Sequence, residues 1–518
     1  PLSFKGIAKA HASLSGFEKA DVQMEVSLAG AEITDPGVFH KKKGVALGAE
    51  LKAVFAENSF QASELKFRLA DVVVSGVLSS KTVGDVTTVD MKAHSNQVSL
   101  EKLGDLSPLV KEYGLNGQFE LSVQANGPSD RLNYGADLKF GKIVLRHESM
   151  KQAIDLEGAI SIATNELKDL KLKLSAKDFD LRVNGAVQNF SAPKFRFNIT
   201  STKMDLDQLL TASEKAADAR EKQAKTLQTT SATASAGGPS VVADTIIDYN
   251  AMFEPLRKNP IAAAAAGTIA FDLAKVKTTG VAIESLKGTF ALANSAISLK
   301  DFSMGLFDGS IKGAMSINAK MAKPDTAINF VVAGLQSQKM VENKMPLARN
   351  SVKGVVSSTL NIGGQGLNTA DINSNWKGSG SFDIKNAVFS TLDVGRQLKT
   401  GVIDKLPDAL KSKVNVPDSL VDRQGEYEVV SAKFVLNPGV MNITDVTGKA
   451  HANKGLDLKG AGTVRMGSYD LDMNLDFIDT YNLMHLDATA PEPKYKHFAV
   501  SPHLTNTLFS PKFDWVRT

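Results

Sequence analysis

The sequence predicts a mainly β protein: an antiparallel sheet with one apolar face and a few short helices. Three observations carry this prediction. A strand–turn–strand pattern recurs along the chain, as ELKFRLADVVVSGVLS (64–79), DLKLKLSAKDFDLRVNGAVQ (169–188), LKDFSMGLFDGSIKGAMSI (299–317) and MNITDVTGKAHANKGLDLKGAGTV (441–464). Within each instance apolar and polar residues alternate, which puts one side-chain set on each face of a sheet. Each return strand carries Gly-x-apolar, at Gly76, Gly185, Gly313 and Gly460. These glycines fall at unequal intervals, so the repeat is not a solenoid of fixed unit length. Strand pairing is expected to be local, through hairpins and meanders.

The elements follow in order. Residues 1–205 read as consecutive strands, with Phe119/Leu121/Val123, Leu170/Leu172/Leu174 and Phe195/Phe197/Ile199 alternating with polar partners. Asn126-Gly127-Pro128, Asn184-Gly185 and Ala192-Pro193 supply breaks. The stretch 100–113 reads as helical. Residues 206–260 read as helix, linker, helix. Asp205 is the expected N-cap of the first helix, with Leu206, Leu209 and Leu210. The linker is the Ser/Thr/Ala/Gly-rich stretch at about 221–240. The second helix carries Ile246, Tyr249, Phe253 and Leu256 on one face and stops at Pro260. Strands resume over 261–390. An amphipathic helix is expected over 391–415, with Leu398, Val402, Leu406 and Leu410 in a stripe that Pro407 must kink or split. Residues 416–518 return to strands, then an irregular tail with one or two final strands.

Composition narrows the function classes. A chain of 518 residues exceeds a single compact core. Hydrophobic residues at 43% exclude a disordered protein. Lys+Arg total 60 and Asp+Glu 56, interspersed, for a net charge of +4, whereas nucleic-acid binders concentrate their basic residues. With no cysteine, disulfide frameworks, thiolate zinc sites and Cys nucleophiles are excluded. No run of 18 apolar residues and no signal peptide are visible. The chain begins at Pro1, and the expectation is that an N-terminal part with any anchor or export signal has been removed.

No motif points to catalysis or a cofactor. His485, His497 and His503 share the tail with Asp476, Asp479, Asp487 and Glu492, but their spacing matches no helical or strand set of metal ligands. Gly363-Gly364-Gln365-Gly366 follows a strand but leads to no helix and no Lys-Ser/Thr, so it reads as a turn. Lys41-Lys42-Lys43 beside Phe39 is a candidate contact for anionic headgroups, with a solvated loop as the plainer reading. The 391–413 helix, with Lys399, Lys405, Lys411 and Lys413, is a candidate for a membrane interface or a cap, with packing on the sheet as the plainer reading.

Several stretches resemble the AsmA family of bacterial envelope proteins, which includes TamB-like and YhdP-like members. FDLRVNGAVQNFSAPKFRFNITSTKMDLDQLL (179–210) is similar to the family's strand–Gly–strand unit running into a helix start. KNPIAAAAAGTIAFDLAKVKTTGVAIESLKGTFALANSAISLKDFSMGLFDGSIKGAMSINA (258–319) resembles a later block, including Leu306-Phe307-Asp308-Gly309 and Gly313. Residues 350–398 resemble the stretch leading into a helix. The ending SPHLTNTLFSPKFDW resembles the closing strand, with Asn506 where the family usually has Gly.

The resemblance implies an elongated antiparallel sheet curled lengthwise into a hydrophobic groove. It also implies a periplasmic protein of a Gram-negative cell envelope, anchored to the inner membrane by the missing N-terminal helix. The implied role is phospholipid transport between inner and outer membrane in support of outer-membrane biogenesis. An outer-membrane protein partner is implied too; catalysis and cofactors are not. About 30 strands spaced about 4.8 Å apart would give a groove on the order of 140 Å long. Its expected lining is Phe67, Leu69, Phe119, Leu121, Val123, Leu172, Leu174, Phe195, Phe197, Phe290, Leu292, Phe330, Val332 and Ile362, in contact with phospholipid acyl chains.

Pattern alone leaves a rival architecture, in which the apolar face packs on a second sheet or on itself. The rival function is a non-transport scaffold for outer-membrane proteins, using strand edges for β-augmentation. A polysaccharide-directed enzyme or adhesin is disfavoured by only 2 Trp and 7 Tyr.

Overall fold

The computed structural model describes residues 3–16, 19–35, 37–211, 248–339, 352–389, 394–412, 414, 416–421, 425–451, 455–486, 491, 494–507 and 510–515. The expected linker at 221–240, Ile246 and the first residues of the 391–415 helix lie outside them. The chain is mainly β, with few and short helices. It divides into two units, residues 1–215 with 264–278, and residues 216–263 with 279–518.

Unit 1 is a meander of strands from Lys9–Ser15 to Lys194–Ser201, each paired with its sequence neighbour across a hairpin or short connection. A separate sheet of three strands, Ser3–Gly6, Ala31–Asp35 and Phe39–Lys41, accompanies it. The helical reading of 100–113 appears as two short helices, Leu100–Leu103 and Pro108–Glu112. Asp205 caps the helix Leu206–Leu209 by accepting from the Gln208 N–H at 2.9 Å.

The expectation of purely antiparallel pairing needs one correction. Strand Ala266–Thr278 runs parallel to Lys194–Ser201, with Phe197 opposite Ile269. Parallel neighbours require a crossover connection, and the long segment between these strands serves as one. The sheet is therefore mixed.

Unit 2 runs antiparallel from Val281–Ala293 through Leu471–Ile478. All four motif instances form hairpins. The turn at Phe307-Asp308 has φ of 49° and 62°, and Asn294-Ser295 has 52° and 57°. Positive φ at both central residues is the two-residue turn whose twist matches that of the flanking strands. The tail ends in the predicted strands, His503–Thr507 and Ser510–Asp514. Asn506, within the first of them and next to its end, has φ 74°, the left-handed conformation that glycine adopts freely and Asn tolerates best among the others.

The second helical segment stops just before Pro260: its last helix ends at Lys258 and Asn259 is extended. A 3-10 turn at Ala251–Phe253, then Pro255–Lys258, is followed by a further short helix, Pro260–Ala264, with Pro at its first position. There its missing N–H costs nothing. The 391–415 segment is split near Pro407 into Val394–Gly401, Ile403–Lys405 and Asp408–Lys411.

Candidate functional site: a half-exposed apolar sheet face

Register decides which of the expected lining residues share a face, because directly opposed residues point to the same side of a sheet. In unit 1, Leu65 opposes Gly76, Gly76 opposes Ala93, Ala93 opposes Val123 and Phe119 opposes Phe140. The row continues from Phe140 to Gly158, Leu172, Val183 and Ile199. Two-residue steps along each strand then place Phe67, Leu69, Phe119, Leu121, Val123, Leu172, Leu174, Phe195 and Phe197 on one side. In unit 2, Phe290 opposes Leu299, and the row runs on through Met315, Ile328 and Ile362. Leu292, Phe330 and Val332 share that side.

None of these fourteen side chains is buried. Phe67 is 44% and Phe290 39% exposed, and the other twelve are half-buried. A face packed on a second layer hides its large residues. This one does so most extensively in the C-terminal part of unit 2; elsewhere single members such as Phe179 and Leu299 are buried. In that C-terminal part Tyr427, Val430, Leu475 and Phe477 are buried under Val394, Leu398, Ile403 and Leu420 of the helical segments and under Phe513 of the tail. Leu398 is fully buried, so the amphipathic stripe of that segment packs on the sheet.

The opposite face is polar and carries cross-strand ion pairs, such as Lys52–Glu64 at 2.7 Å and Lys173–Glu157 at 3.1 Å. The Lys52 hydrogen bond holds the Glu64 carboxyl below its usual range. At the strand ends of unit 2, residues from seven consecutive strands line a cavity of about 910 Å³. A single cavity touched by seven adjacent strands requires the sheet to curve around it. Its lining mixes Ile297, Ile317 and Ile362 of the apolar face with Lys300, Asn361 and Lys377 of the polar one.

One rim of unit 2 is fastened by a strap that the sequence did not reveal. Asp371 is buried and accepts from Asn250 Nδ2 at 2.8 Å and Lys323 Nζ at 2.6 Å. Asn250 Oδ1 accepts from the Leu367 N–H, and Ser295 donates to the Leu256 carbonyl. Hydrogen bonds from Lys323 and Asn250 hold the Asp371 carboxyl below its usual range. Trp376, 3% exposed, donates to the Gly366 carbonyl alongside. No local pattern flags such a strap, because its partners lie far apart in sequence.

One sequence candidate is reassigned. Lys41 is fully buried, and its ammonium donates to the carbonyl of Ala31 at 2.7 Å and, at longer range, to those of Lys42 and Ala29. Burial pushes its pKa down, and it cannot meet a headgroup from that position; Lys42 and Lys43 remain exposed. In the tail, Asp476 is taken by Lys494, Tyr495 and Ser501, and Asp479 accepts from the Leu483 and Met484 N–H groups. His503 pairs with Asp472 and Asn474. Asp487 and Glu492 lie outside the described residues. No group of three or more His, Asp or Glu among the described residues is placed to hold a metal. None of the described helices is long and apolar enough to cross a membrane.

Together these features define a class of protein in which a β-sheet leaves one apolar face partly open. The model of the AsmA family matches residues 39–446, and the chain belongs to that family. No curated protein and no solved structure matched it.

Proposed function

We propose that the half-exposed apolar face binds phospholipid acyl chains, and that the protein carries phospholipid between the inner and outer membranes of a bacterial envelope. The observation that carries this reading is the continuous apolar row in each unit, on which none of the fourteen expected lining residues is buried. Each CH₂ removed from water contributes about 0.8 kcal/mol, so a two-chain lipid gains greatly from such a surface. The polar face and its ion pairs stay in water, and lipid headgroups remain solvated at the edge. Movement along the face requires no catalytic residue, so the role proposed is non-enzymatic. Family membership supports an envelope setting, and we place the protein in the periplasm, anchored to the inner membrane, with an outer-membrane protein as its partner. The C-terminal core of unit 2 closes one stretch of the face, which makes it a stop.

The test is native mass spectrometry with lipid extraction on protein purified in mild detergent and then freed of it. Several phospholipids per chain are expected. A well-folded, lipid-free chain would overturn the reading and favour a scaffold that engages outer-membrane proteins through strand edges.

A further inference from the structure

Six phenylalanine–glycine pairs stand directly opposed on the apolar face: Phe197 and Gly185, Phe195 and Gly267, Phe330 and Gly313, Phe434 and Gly380, Phe140 and Gly158, and Phe302 and Gly313. In the first four the ring lies over the glycine. A Cβ on Gly185 would stand 2.0 Å from Phe197 Cδ1, and one on Gly313 would stand 2.4 Å from Phe330 Cδ1. On Gly267 and Gly380 it would meet Phe195 and Phe434 at 2.7 and 2.4 Å. At Gly185 the ring is the nearest obstacle to a side chain; at Gly267, Gly313 and Gly380 a backbone oxygen at 2.0, 2.0 and 2.3 Å shares that volume with the ring.

We propose that these glycines determine lipid specificity by letting the rings lie flat against the sheet, which keeps the face deep enough for two acyl chains side by side. This rests on the lipid-binding reading above. A phenylalanine opposite a larger residue stands away from the sheet, as side chains in strands ordinarily do. A ring lying over glycine covers the bare backbone and still offers an apolar surface. The device therefore levels the face at these four phenylalanines. It accounts for two of the four marker glycines of the recurring motif, Gly185 and Gly313; Gly76 and Gly460 stand opposite Leu65 and Leu475.

The experiment compares loading of a two-chain phosphatidylethanolamine with that of its single-chain lysophospholipid, by native mass spectrometry on the full chain. Gly185→Ala lifts the Phe197 ring, whose Cδ1 is the atom nearest the new Cβ. It should reduce two-chain loading by about tenfold, equivalent to about 1.4 kcal/mol of overpacking, and leave single-chain loading within about twofold. Adding Phe197→Leu to Gly185→Ala should restore two-chain loading. Should Gly185→Ala fail to fold, Phe197→Trp, which places a bulkier ring over the same glycine, makes the same comparison. Equal loss of both lipids, or no loss of either, would overturn the inference while wild-type loading upholds the lipid reading. Absence of any lipid on the wild type would instead sink the lipid reading itself.

Discussion

Asn250 donates a 2.8 Å hydrogen bond to Asp371, a buried carboxylate 121 residues further along the chain. With Lys323 on the other carboxylate oxygen, this contact pins the 248–258 strap to one rim of unit 2. Removing the carboxylate strands two donors. Asp371→Ala should cost about 2 kcal/mol locally. Hydrogen exchange should rise across 249–258 and 367–376 and stay unchanged in unit 1. Uniform exchange would show that the strap is held by other contacts.

The tail is held by a second carboxylate. Burial raises the Asp476 pKa, but hydrogen bonds from Lys494, Ser501 and Tyr495 outweigh it and bring the net value below the usual range. A depressed carboxylate stabilises the fold above its unfolded pKa of about 3.9, and that contribution fades as pH falls through the lower folded value. Exchange protection of 494–507 should therefore hold from neutral pH down to about pH 5 and decline below about pH 4. Asp476→Asn should remove that acid-dependent step.

Core and open face should respond differently to truncation. Leu398 is fully buried beneath the helical segment. Leu398→Ala should cost about 2–5 kcal/mol in urea unfolding. Phe290, 39% exposed, is already partly in water, and Phe290→Ala should cost under about 1.5 kcal/mol. Equal costs would mean that the apolar face of unit 2 is packed against a covering layer in solution.

Charge on the open face should block lipid with little change in stability. Val123→Asp in unit 1 and Phe290→Asp in unit 2 each put a carboxylate on an apolar row, where a bound acyl chain would strip its water. Lipid copurifying with either variant should fall severalfold while thermal melting shifts little. If folded variants carry lipid at wild-type levels and rescue a deletion strain, the conduit is excluded.

Much of the fold was legible in the sequence. The alternation around Leu172 and Phe330 identified their strands and their shared faces, because side-chain direction in a strand is a local, period-two property. Hairpin pairing followed for the same reason, and Asp205 announced its helix through its cap. The Lys41 side chain was misread because its burial depends on Ala29 and Ala31 of a neighbouring segment, not on its flanking lysines.

The sequence by itself determined that this chain builds antiparallel hairpins with a continuous apolar side, since each of those properties is set within a few residues. Only the tertiary structure decided where that side stays open. The same alternation yields a half-exposed Phe330 and a buried Phe477. The difference lies in whether distant segments, Val394–Gly401 and the C-terminal tail, come to rest on the strand. Tertiary structure likewise decided the parallel return of Ala266–Thr278 and the seating of Asn250 on Asp371. Burial is the sum of contacts from segments remote in sequence, and no local pattern encodes that sum.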